Sequence, residues 1–135
     1  MRIILPGSKA PDFNLQDQYG IVHRLSHYRG LWVILCFLPS DYNAACVKEA
    51  CSIRDDFSFI QDRHAELFGI TMDGKKGIAR FAERYRINYP LLCDSSGSVC
   101  EIFNMVWSLG PVKIIRRNSV IISPTGDIIR IYRRV

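Results

Sequence analysis

Leu31-Trp32-Val33-Ile34-Leu35-Cys36-Phe37-Leu38 is an unbroken apolar run set between Gly30 and Pro39, and Asn43-Ala44-Ala45-Cys46-Val47-Lys48-Glu49-Ala50-Cys51 follows soon after it. Eight residues make a strand's length, and the absence of a polar residue at either parity predicts a strand buried on both faces. Asn43 then reads as the N-cap of a helix running to about Arg63, with Ala44, Ala45, Glu49 and Ala50 as good helix formers. Ala50, Ile53, Phe57 and Ile60 fall on one face of it. A buried strand handing over to a helix predicts an α/β fold.

Working outward, Ala65 to Met72 reads as a second strand and Lys75 to Tyr85 as a helix with Ile78, Phe81, Ala82 and Tyr85 inward. Pro90 to Cys93 reads as a short extended stretch and Val99 to Val106 as a short helix. Ser119 to Ile122 and Ile128 to Tyr132 flank the turn-rich Ser123-Pro124-Thr125-Gly126-Asp127, which predicts a closing hairpin. Near the start, Pro11 to Gln18, Tyr19-Gly20 and the alternating Ile21 to Leu25 predict a peripheral hairpin. The expected architecture is a mixed central sheet flanked by helices, with an N-terminal hairpin.

A chain of 135 residues, 48% of them apolar, suffices for one compact core. With no repeats or long linkers, residues 1–135 are expected to form a single domain. The apolar run Ile3 to Leu5 ends at Pro6, far short of a signal-peptide core or a membrane span, so the expected location is the cytoplasm, with no membrane partner. The net charge of +5 owes much to Arg116, Arg117, Arg130, Arg133 and Arg134. No aromatic-and-basic interleaving accompanies them, so they read as solvated charges rather than a nucleic-acid surface.

Cys36, Cys46, Cys51, Cys93 and Cys100 form an odd set, which argues against a stable disulfide framework in a reducing compartment. No CxxC pair is present and His23, His27 and His64 do not cluster, so neither a zinc site nor any other cofactor is expected. Cys46 would occupy the third position of its helix, where unpaired N–H groups and the helix dipole favour a thiolate, the reactive form of cysteine. Cys51 lies about 140° around and ~7.5 Å along an intact helix, beyond disulfide reach. Joining the two requires the first turns to unwind. Position alone leaves two readings open, a reactive pair or two small apolar residues of an inert helix.

The chain resembles the peroxiredoxins, specifically the PrxQ or bacterioferritin-comigratory-protein subfamily. The resemblance runs through Ala10-Pro11-Asp12-Phe13, Arg29-Gly30, Pro39, Cys46 to Asp55, Phe81 to Tyr85, Tyr89 to Leu92, Asp94, Gly97 and Arg117. It implies a thioredoxin-like fold and a thiol peroxidase acting on hydrogen peroxide and organic hydroperoxides. Cys46 would be the peroxidatic residue and Cys51 the resolving one, with Arg117 beside the sulfur and Glu49 orienting that arginine. Pro39 and Asn43 fall at substrate-binding positions, and the implied partner is thioredoxin or a similar dithiol, for a monomer or weak dimer. Asn43 stands where the family carries threonine or serine, and Ala44-Ala45 replace the usual Pro-Gly. The segment Trp107 to Ile115 is shorter than usual. The competing reading is a degenerate, non-enzymatic redox sensor or partner-binding member. Cys36, Cys93 and Cys100 read as structural, with an alternative resolving role open for Cys100.

Overall fold

The computed structural model describes residues 4–38, 44–115 and 118–133. Among them, seven strands form one sheet in the order β2-β1-β5-β4-β3-β8-β9. Its centre is β3 (Trp32–Phe37), β4 (Ala65–Thr71) and β5 (Leu91–Cys93), mutually parallel. The crossover from β3 to β4 is α1 (Ala44–Gln61), and that from β4 to β5 is α2 (Lys75–Arg84). On one side of this parallel core, β8 (Asn118–Ile122) adds antiparallel to β3, and β9 (Ile128–Arg133) adds antiparallel to β8 at the sheet edge. On the other, β1 (Asn14–Gln16) and β2 (Val22–Arg24) form the expected N-terminal hairpin, attached to β5 through Gln16 and Cys93.

The apolar run at 31–38 has its physical cause in this topology. Val33, Leu35 and Phe37 join a core layer with Leu25, Phe68, Ile70, Phe103, Val120 and Ile122. Cys36 and Leu38, with Ile34 packed alongside, join the opposite layer, formed with Ala50, Ile53 and Phe57 of α1 and Ile78, Phe81 and Ala82 of α2. Both parities are buried because both faces of the sheet are covered. The expected inward stripes of α1 and α2 are therefore the ones observed, with Ile60 and Tyr85 packed against the layer's edge.

Gly69 of β4 faces the α1/α2 layer, and a Cβ there would lie 2.8 Å from Leu91 Cδ1 and 3.2 Å from the Tyr89 ring. Its lack of a side chain leaves room for the Tyr89 ring beneath α1. That ring is 1% exposed, and its hydroxyl donates to the Ala50 carbonyl at 3.0 Å.

One stretch departs from expectation. The helix read as Val99 to Val106 is the short α3 (Ser98–Ile102), and Val106 begins a strand. β6 (Val106–Leu109) and β7 (Val112–Ile115) pair antiparallel through Gly110-Pro111. Gly110 takes φ +61°, which glycine supplies without strain, and proline suits the second turn position by its fixed φ. The Gly-Pro dipeptide between two apolar runs was the available signal.

Candidate active site

α1 begins at Ala44, so Cys46 is its third residue, within the opening turn where backbone N–H groups lack intrahelical acceptors. That turn contains no acidic residue to compete with an anionic sulfur. Cys51, five residues on in the same helix, is half-buried and a free thiol. Pro39, Asn43 and Arg117 lie outside the described residues.

Glu49 is half-buried rather than fully solvated. It faces a cleft of about 260 Å³ beneath α1, lined also by Cys36 of β3, Ser52 and Asp56 of α1, and Ser119 and Ile121 of β8. The structure thus brings Glu49 together with the strand that follows Arg117 directly in sequence. Cys51 lies two residues beyond Glu49, about 200° around the helix axis, and so faces away from this cleft.

On the Cys51 side, α1 is tied to the segment after α2. The Arg54 guanidinium donates to the Tyr85 carbonyl at 2.6 Å, and the Asn88 amide donates to the Arg54 carbonyl at 3.1 Å. With Tyr89 on Ala50, three tertiary hydrogen bonds hold the helix from Ala50 onward. These anchors were invisible to helical periodicity, because each joins residues more than thirty positions apart.

The remaining cysteines occupy packed positions. The Ser119 hydroxyl donates to Cys36 Sγ at 3.7 Å, and the Cys93 thiol donates to the Asp73 carbonyl at 3.1 Å. Cys100 is fully buried in the core layer on the opposite sheet face from α1. Burial, together with the neighbouring Asp94 carboxylate, pushes its thiol well above the ordinary range. With the sheet between them, Cys100 is poorly placed to serve Cys46, which fits its structural reading.

A thioredoxin-like sheet carrying a cysteine in the first turn of its β3–α1 helix has the layout of a thiol-based redox site. The AhpC/TSA family profile matches residues 6–131. Peroxiredoxin Bcp of Bacillus subtilis (strain 168) is 31% identical over 134 residues, covering 96% of this chain and 85% of that protein. Peroxiredoxin Bcp of Escherichia coli (strain K12) is 34% identical over 107 residues, covering 79% of this chain and 68% of that one. Among solved structures, peroxidoxin BcpB from Mycobacterium tuberculosis superposes with a TM-score of 0.89 at 31% identity, covering 97% of this chain and 86% of that one. A cysteine-to-serine variant of Xylella fastidiosa PrxQ gives 0.91 at 22% identity, over 100% of this chain and 89% of that one, a likeness of fold. The chain belongs to the AhpC/TSA family, in its Bcp/PrxQ branch of peroxiredoxins, and is a thiol peroxidase.

Proposed function

We propose that the chain reduces hydrogen peroxide and organic hydroperoxides through Cys46 as attacking sulfur and Cys51 as resolving sulfur. The observation that carries this reading is the start of α1 at Ala44, which puts Cys46 in the opening turn with Cys51 a free thiol of the same helix. The Cys46 thiolate attacks one peroxide oxygen. An S–O bond forms, the O–O bond breaks, and the departing hydroxide or alkoxide takes up a proton. Cys51 then displaces the oxygen of the sulfenic acid as water, closing the disulfide. Two electrons pass from the two thiols to the peroxide, and a thioredoxin-like dithiol restores them.

Arg117 is assigned to stabilise the thiolate and the charge developing on the peroxide oxygens, since a guanidinium does not lose its proton. Support comes from Ser119 and Ile121, which line the Glu49 cleft. Period-two alternation carried back from Ser119 predicts the same face for Arg117. Glu49 would then orient that guanidinium through a charge-assisted hydrogen bond, and Pro39 and Asn43 would border the peroxide. The reading includes a single domain over residues 1–135, a monomer or weak dimer, and the cytoplasm. Among the described residues no helix is long and apolar enough to cross a membrane.

Stopped-flow consumption of hydrogen peroxide by the reduced protein tests the proposal. Cys46→Ser is expected to abolish turnover, whereas Cys51→Ser should consume one equivalent and stall as the sulfenic acid. Equal activity of the two variants would refute the assignment of roles. A wild-type rate no greater than that of free cysteine would favour the sensor reading.

A further inference from the structure

We propose that the cleft at the C-terminal end of α2, beside the Cys51 face of α1, docks the protein dithiol that re-reduces the enzyme, and that this partner presents an acidic rim and attacks at Cys51. The inference rests on the peroxidase reading above and specifies how its reductant is received.

The cleft, of about 440 Å³, is lined by Gly77, Arg80, Phe81, Arg84 and Tyr85. Its apolar floor is the Phe81–Tyr85 pair, with ring centroids 4.9 Å apart. Arg80 and Arg84 stand one helical turn apart and exposed at its edge, and the Arg84 guanidinium lies 5.4 Å from the centroid of the Tyr85 ring. Neither arginine takes part in an ion pair among the described residues, in contrast to Arg54, which pairs with Asp55 at 3.0 Å. Residues 75–86 carry Lys75, Lys76, Arg80, Arg84 and Arg86 against the single acid Glu83. Uncompensated guanidinium groups around an aromatic floor suit an acidic protein surface with an apolar centre.

One contact connects this cleft to the turn of α1 that carries Cys51. Tyr85, which lines it, accepts a hydrogen bond from Arg54 through its carbonyl at 2.6 Å. Arg54 is one helical turn from Cys51. The same guanidinium is fixed on its other side by its ion pair with Asp55 at 3.0 Å. The peroxide-side cleft with Glu49 is on the other side of α1. A protein seated on α2 would therefore meet Cys51 first and leave the substrate cleft open.

In the exchange, a partner thiolate attacks Sγ of Cys51. A mixed disulfide forms, the Cys46–Cys51 bond breaks, and Cys46 leaves as the thiolate. The partner's second thiol then attacks its own mixed-disulfide sulfur, releasing Cys51. The partner ends as a disulfide, and its two electrons rest on Cys46 and Cys51.

The test compares wild type with the double variant Arg80→Glu/Arg84→Glu, using thioredoxin and, separately, dithiothreitol as electron donor. Thioredoxin-supported kcat/KM is expected to fall by about tenfold or more and to lose most of its salt dependence, with dithiothreitol-supported turnover unchanged. An unaltered thioredoxin rate, or an equal fall with both donors, would overturn the proposal. Thioredoxin lacking its second cysteine should be trapped on Cys51, and capture on Cys46 overturns the stated point of attack. A wild-type protein that consumes no peroxide even with dithiothreitol would instead remove the peroxidase reading, so the two failures are distinguishable.

Discussion

Asn43 immediately precedes α1 and replaces the hydroxyl residue that the family resemblance leads one to expect three positions before Cys46, the proposed attacking sulfur. An asparagine that caps a helix uses its side-chain oxygen on the helix N–H groups, leaving its amide as the only donor for thiolate or peroxide. A threonine hydroxyl both accepts and donates from one atom. Asn43→Thr is therefore expected to raise the second-order rate of Cys46 oxidation by about tenfold, since one well-aimed donor at developing charge is worth at least that. Stopped-flow tryptophan fluorescence can follow this oxidation, and an unchanged rate would show that the amide already serves.

At the scale of the element, α1 has two unequally held parts. From Ala50 onward it is fastened by Tyr89, Arg54 and Asn88, and by the burial of Ala50, Ile53 and Phe57. The proposed Cys46–Cys51 disulfide needs the turn between the two residues to open, since five positions along an intact helix exceed disulfide reach. Unwinding should therefore run from Ala44 and stop near Ala50. In hydrogen exchange, the oxidised protein is expected to lose protection at amides 47–51 while residues 55–61 keep theirs. Loss of protection through Phe57 would contradict this boundary. Tyr89→Phe removes a buried hydrogen bond worth about 1 kcal/mol, and should extend the exchanging region towards Arg54 while lowering Tm.

Across the whole molecule, the far edge of the sheet carries a polar cluster remote from α1. His23 contacts Asp17 Oδ2 at 2.8 Å and the Tyr28 hydroxyl at 2.7 Å, with Phe68 stacked edge-on to its ring. Glu66 of β4 is half-buried beside this group, and burial holds its carboxyl above the ordinary 4.5, partly offset by His23. A raised acid pKa means the folded state binds the proton more tightly. Stability therefore falls as pH rises from 4.5 through the folded value, and Glu66 weakens the fold at neutral pH. Glu66→Gln is expected to raise Tm at pH 7, with the gain vanishing below pH 4.5. A thermal-unfolding series across pH checks both ends, and a gain independent of pH would exclude titration as its cause.

Local pattern determined the parts of this protein whose cause is local: the doubly buried β3, the inward stripes of α1 and α2, both terminal hairpins, and Cys46 in an opening helical turn. Family register added the proposed roles of Cys51, Glu49 and Arg117, which no periodicity supplies. Val106 was misread as helical because a short stretch with six apolar residues in eight suits a helix or a strand equally, and only pairing with Ile115 made it a strand. Tertiary structure alone decided that Tyr89 would hold Ala50, that Gly69 must stay bare to admit it, and that Glu49 would face a cleft shared with β3 and β8. Those outcomes depend on contacts between residues tens of positions apart, which come into existence only when the sheet forms and the helices pack on it.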